Sequence, residues 1–303
     1  MEEHPPPVTR HRPPSSAARV LAAIGGLILG VGILAAIAFA VVGRGDESPP
    51  AASPPTTTGP PPKPVLRIIF PEGFTIADMA GRIKAVNKIA EQKRHVTPKL
   101  SPRKYLGLGE GHTPPPGFPY KGKVPSLEGF LFPATYDFTE DTTTKQLVDK
   151  QLVAFMRAWD QLDLRYAKSK NLNAYDVLII ASMVEKEVQV PKERPLVAAV
   201  IYNRLRNGMA LQIDATIRYG LHIPPTEPIH VSELESDSPY NTRKFLGLTP
   251  TPIANPGLAS LQAAAHPAHV NYLFYIRKPD CKSHFFTASQ QEFDNYSRAG
   301  LNC

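Results

Sequence analysis

The hydrophobic and polar positions divide the chain into three stretches. Residues 20–43 are apolar and uncharged, and a helix of about two dozen residues crosses a hydrocarbon layer of about 30 Å. Residues 44–64 show no periodicity and are dominated by proline (PPAASPPTTTGPPPKP), which predicts a semi-rigid, extended spacer. From residue 65 onward apolar positions recur with the spacings of strands and helices. VLRIIF predicts a strand over 65–70, and after the turn at Pro71 to Gly73 the periodicity predicts a helix over 76–89 capped by Thr75. Together these make a small αβ unit. An amphipathic helix is expected over 144–167, a short helix over 260–265, strands at 272–277 and 281–286, and a closing helix over 290–299. The basic stretch 91–123 is irregular and carries no assignable role.

The most strongly patterned segment is 173–208, NAYDVLIIASMVEKEVQVPKERPLVAAVIYNRLRNG, which predicts two helices joined at Pro191. Asn173 suits the N-cap, and Asp176 lies in the first turn, where the helix dipole favours an anion. Val177, Ile180, Ala181, Val184 and Val188 recur at three- and four-residue steps and form a buried stripe. At about 100° per residue, Glu187 falls on the edge of that stripe between Ile180 and Met183. Glu185 leaves from the other flank, near Ala181 and Leu178. A carboxyl in apolar surroundings has its neutral form favoured, as a general acid requires. The EKE triplet reads equally as a solvated helix end, with Lys186 and Lys192 offsetting two surface acids. Pattern alone leaves both readings open.

Aromatics crowd 126–138 (SLEGFLFPATYDF), which carries Glu128. Sugars stack on such rings, so this stretch suits a groove wall. The alternation of Phe130, Phe132 and Tyr136 also fits a buried strand, and for aromatics alone the core is the ordinary place. Proline-punctuated polar loops, SPYNT and LTPTPIANPG, come after the central helices and are suited to substrate contacts.

Composition and charge change this picture. Many of the 33 prolines among 303 residues lie before residue 64, so the folded part is smaller than the chain length suggests. A net charge of +7 and a pI near 9.3 suit an acidic partner such as an anionic membrane or wall polymer. No basic helix or arginine-rich run points to nucleic acid. Arg10, Arg12 and Arg19 precede the apolar run, while Arg44, Asp46 and Glu47 nearly cancel after it. The positive-inside rule therefore predicts a cytoplasmic tail (1–19), a retained single-pass span (20–43) in the plasma membrane and export of the rest. A cleaved signal peptide would have a shorter apolar region ending at a small-residue site, which these flanks lack. Export makes a disulfide between Cys281 and Cys303 credible. His266, His269 and His284 suggest a metal hydrolase, but Pro267 breaks the helical geometry needed to align HPAH, so surface or loop positions are expected and no metal site is assigned.

With ASMVEKE, NRLRNGMALQIDAT, SPYNT, GLTPTPIANPG, AAAHP and NYLFYI in this order, the chain resembles the endolytic murein transglycosylases of the MltG (YceG-like) type. The resemblance runs from about residue 65 to the C-terminus. It implies an α+β fold with a mainly helical, lysozyme-like catalytic domain (124–303) and a small sheet, preceded by a partial LysM-like region (65–123). It implies lytic cleavage of the β-1,4 bond between N-acetylmuramic acid and N-acetylglucosamine, no cofactor, and one essential glutamate, the second acid of EKE, here Glu187. Asn203, Arg204, Gln212, Asp214, Tyr240, Asn241 and Thr242 match further family motifs and are expected to bind substrate, with Glu185 as the secondary acid. Partners implied are peptidoglycan glycan strands and wall-synthesis enzymes (peptidoglycan synthases) at the membrane. Three departures stand out: the N-terminal region is short, Ala134 replaces a usual aspartate in EGFLFPATY, and Phe293 follows Glu292 where histidine is common.

A lytic enzyme needs one carboxyl, whereas a hydrolase needs a second at a set distance. Asp214 is the rival acid that would make the chain a hydrolase. A catalytically silent wall-binding scaffold is the alternative from a different class.

Overall fold

The computed structural model describes residues 63–300. The expected tail, the membrane span, nearly all of the spacer and Cys303 lie outside the described residues. Among the described residues no helix is long and apolar enough to cross a membrane. In chain order the elements are β1 (Leu66–Ile69), α1 (Ile76–Arg94), α2 (Pro102–Leu106), β2 (Thr135–Phe138), α3 (Thr144–Trp159), α4 (Arg165–Ser169), α5 (Ala174–Glu187), α6 (Arg194–Arg206), α7 (Asp214–Leu221), α8 (Val231–Leu234), α9 (Leu258–Ala265), β3 (Phe274–Arg277), β4 (His284–Thr287) and α10 (Gln290–Arg298).

Helix α5 is the axis of the core. Asn173 Oδ1 accepts from the N–H groups of Tyr175 (2.7 Å) and Asp176 (3.1 Å), and the Asp176 carboxylate accepts from Asn173 N–H, a reciprocal capping box. Every residue from Ala174 to Val184 except Asp176 is buried. A helix apolar on all sides belongs inside. Helices α6, α7 and α9 pack against it. Each fully buried aliphatic side chain, such as Val177, Leu178 or Ile180, contributes roughly 1.5–3 kcal/mol.

Two small antiparallel sheets flank this helical core. Strand β1 pairs with β2, from Leu66 opposite Phe138 to Ile69 opposite Thr135. Ile68, Tyr136 and Phe138 point into the core while Arg67 and Ile69 face water, the period-two pattern of a half-buried sheet. This pairing joins the 65–123 segment to the 124–303 segment, so the expected small αβ unit shares its sheet with the segment expected to be catalytic. Strands β3 and β4 form a hairpin with Tyr275 opposite Phe286 and Arg277 opposite His284.

Several elements differ from expectation. The helix predicted over 144–167 ends at Trp159, and a second short helix begins at Arg165. Leu162 and Leu164 continue the apolar period, but the N–H groups of Gln161 and Leu162 fold back three residues to Ala158 and Trp159. Asp163 then caps Arg165 N–H at 2.9 Å. Helix α1 runs on to Arg94, and α2 orders part of the basic stretch. Cys281 is held in a disulfide, while Cys303, its expected partner, lies outside the described residues.

Candidate active site

Helix α5 stops at Glu187 because Val188 turns to an extended conformation while its N–H still bonds Val184 O at 3.1 Å. The stop leaves the Glu187 side chain in a cleft of about 1060 Å³. The start of α1, the loop before β2, the end of α5, helix α7, Tyr240 and Arg277 line that cleft. The Tyr275 hydroxyl donates to Glu187 Oε2 at 3.1 Å. Burial raises the Glu187 carboxyl above its ordinary range, and nearby Asp214 adds to this. The Tyr275 hydrogen bond and the charge of Arg277 pull the other way, but burial prevails. A carboxyl so held carries a proton at higher pH than a surface glutamate, which is what donation to a leaving oxygen needs.

Glu185 goes elsewhere. Its Oε2 accepts from Gly257 N–H at 3.1 Å, and its Oε1 lies 3.9 Å from Arg194 Nη2, with the side chain almost fully covered. Lys186 reaches across to Gly73 O at 3.3 Å, tying the turn after β1 to the end of α5. The EKE triplet is therefore not a solvated helix end.

Of the remaining expected site residues, Asp214 and Tyr240 line the cleft. Asp214 accepts from Arg243 Nε and Nη2 at 3.0 and 2.6 Å. Tyr240 shares a 2.8 Å hydroxyl hydrogen bond with Thr251. Four others have polar atoms engaged within the framework. Asn203 donates to the carbonyls of Val270 and Tyr272, both at 2.9 Å. Arg204 is buried and donates to Leu273, Ala210 and Leu211 carbonyls. Asn241 is fully buried and closes the loop after α8 through Leu234 O and Ser236 O. The Thr242 hydroxyl accepts from Ile213 N–H at 3.0 Å and meets Thr216. Gln212 is exposed, adopts a positive φ of 56° and lies off the cleft lining. His266 and His269 are exposed, but His284, expected at a surface or loop position, is buried in β4 against Glu193.

Sequence reasoning missed two residues that shape the cleft. Glu128 is buried beneath its wall and collects three segments. Ile76 N–H, the first of α1, reaches both carboxyl oxygens at 3.1 Å; Asn255 Nδ2 donates at 2.6 Å and the Tyr219 hydroxyl at 3.2 Å. Burial outweighs these donors and pushes the carboxyl up to about 8. A lone acid inside SLEGFLF was the available signal. Gly129 beside it has φ +91°, and a Cβ there would sit 2.7 Å from Pro252, so only glycine fits. The other is Tyr275. Strand alternation puts it on one face with Arg277, and two polar-tipped residues on one face of NYLFYI and the arginine after it were the clue.

The YceG-like family model matches residues 56–299. The chain is 38% identical over 154 residues to an endolytic murein transglycosylase of Bacillus subtilis, covering 50% of this chain and 42% of that protein. It is 32% identical over 247 residues to one of Streptococcus pneumoniae, covering 77% and 44%. It thus spans less than half the length of these curated relatives. A crystal structure of a YceG-like protein from Listeria monocytogenes superposes with a TM-score of 0.57 at 28% identity, over 76% of this chain and 75% of that one. With its motifs in order and residues 56–299 matched, the chain belongs to the YceG-like family.

Proposed function

We propose that this protein is a lytic transglycosylase that cuts peptidoglycan glycan strands, with Glu187 as acid and then base. The observation that carries the reading is the Glu187 carboxyl in an open cleft, its neutral form favoured by burial. The relatives named endolytic murein transglycosylase supply the substrate class. Protonated Glu187 donates to the oxygen bridging N-acetylmuramic acid to N-acetylglucosamine, and the bond from C1 to that oxygen breaks. The resulting Glu187 carboxylate takes the proton of the muramic acid 6-hydroxyl, whose oxygen closes on C1. The product ends in a 1,6-anhydro ring, and Glu187 is again protonated. Intramolecular attack replaces water, so proximity supplies much of the barrier reduction. Tyr240 and Arg277 on the cleft wall are the side chains that meet sugar hydroxyls and carboxylates.

Residues 20–43 anchor the protein in the plasma membrane in this reading, with the N-terminus cytoplasmic and the catalytic part outside. The substrate is then nascent glycan beside the synthases that make it.

Glu187→Gln tests the assignment, because it keeps shape and removes the transferable proton. Strand cleavage should fall by about 10²–10⁴-fold with the melting temperature kept or raised, since a buried ionisable group is removed. Full activity in a folded variant excludes Glu187. Asp214, held by Arg243 on the cleft wall, supports a second reading in which it activates water. That reading requires free reducing ends in the product.

A further inference from the structure

The contact between Tyr275 and Glu187 is the tip of a larger assembly on the β3–β4 hairpin, half-buried at Tyr275 and Phe286 and buried at His284 and Glu193. Period-two alternation sets Tyr275, Arg277, His284 and Phe286 on one face. The His284 ring meets Tyr275 edge-on, with centroids 5.4 Å apart and planes at 89°, and Phe286 closes the third side at 6.0 Å from each. Glu193 holds His284 from below: its oxygens accept the His284 backbone N–H at 3.1 and 3.2 Å, and Oε2 lies 2.7 Å from Nδ1. Because a carboxylate only accepts, Nδ1 is the nitrogen that donates. His284 Nε2 is buried with no hydrogen-bond partner. That is a cost the fold carries while keeping an imidazole against the tyrosine. Glu193 belongs to the short turn that comes after Glu187. The segment ending α5 is thus bonded to the hairpin twice, once through each acid.

We propose that Tyr275 is a positioning residue for Glu187, locked in place by the Glu193–His284 pair, and that its hydroxyl dictates which carboxyl oxygen delivers the proton. Oε2 is occupied as an acceptor of the tyrosine O–H, and Oε1 has no hydrogen bond among the described residues. The transferable proton therefore sits on Oε1, the oxygen left for substrate. Once that proton has gone to the leaving oxygen, the phenol stabilises the carboxylate until it collects the proton of the 6-hydroxyl. The charged and titratable groups facing Glu187 are Tyr275 and Arg277 from β3, Asp214 from α7 and His284 from β4. Only Tyr275 among them bonds it. The proposal deepens the catalytic reading above and rests on it.

Tyr275→Phe removes the hydroxyl and keeps the ring. In the full chain kcat should fall about tenfold to a hundredfold, the equivalent of one charge-assisted hydrogen bond, with KM changed less than about twofold. The alkaline limb of the rate profile should move to higher pH, because the donor that favours ionised Glu187 is gone. The same movement should appear without substrate, as a higher titration midpoint of the Glu187 carboxyl in ¹³C NMR, its signal assigned by its loss in Glu187→Gln. His284→Asn keeps a donor toward Glu193 but drops the ring. It should move the midpoint in the same direction and serves as the second arm if Tyr275→Phe does not fold. An unchanged midpoint and limb overturn the proposal. If the wild-type protein cuts no glycan, the NMR midpoint still reads the contact, so failure of the catalytic reading is told apart from failure of this one.

Discussion

Glu185 and Glu187 stand two positions apart at the end of one helix, about 200° around its axis, and the surroundings divide their tasks. Glu185 is spent on Gly257 N–H and Arg194. Glu187 keeps one oxygen for the cleft. Glu128, the third acid, also stays protonated well above the ordinary carboxyl range but ties segments together, which gives it a stability signature. In the unfolded chain it ionises near 4.5, and in the fold at about 8. Between those values the folded chain holds one more proton, so stability is greatest below pH 4.5, falls as pH rises through the window and levels off above it. Glu128→Gln removes this dependence and leaves one donor unmatched, at a cost of about 1–3 kcal/mol. Denaturant melts should show the gap between wild type and variant widest near pH 5 and narrower by pH 8.5. A gap independent of pH would remove Glu128 as the cause.

At the level of elements, the cleft depends on close approaches that glycine permits. In α7 a Cβ on Gly220 would lie 2.6 Å from both Tyr240 Cβ and Ser238 Oγ. Gly220→Ala gains about 1 kcal/mol in helix propensity and loses about 1–3 kcal/mol in overpacking. The net effect should be a lower melting temperature and a displaced Tyr240, read as a weaker KM. A more stable variant with unchanged KM would show that the Tyr240 loop adapts freely. The central helices and the terminal hairpin were legible because a buried face imposes its period on the sequence, and Asn173 was legible as the cap of the first. The break after Trp159 was not, since Leu162 and Leu164 keep the apolar rhythm while the backbone tightens. Asn203, Arg204, Asn241 and Thr242 show a different limit. A polar side chain that satisfies loop carbonyls and one that meets a sugar look identical in sequence, and only the folded backbone shows which acceptors it has already found. Glu187 was legible as an acid on an apolar edge, but its separation from Glu185 needed the family resemblance and the partners of each.

For the whole molecule, β1 pairs with β2 and the turn after β1 is bonded to α5, so the first strand and helix form one wall of the cleft. In the proposed reading the cleft takes a long glycan polymer and needs no second carboxyl, because the polymer's own hydroxyl is the nucleophile. The most direct measurement is the mass of the product ends after the full chain digests purified glycan strands. Cleavage through Glu187 alone gives 1,6-anhydro-muramic acid ends, lighter by one water than reducing ends, and the anhydro form should account for the new termini. Free reducing ends in their place would contradict the lytic mechanism and turn attention to Asp214.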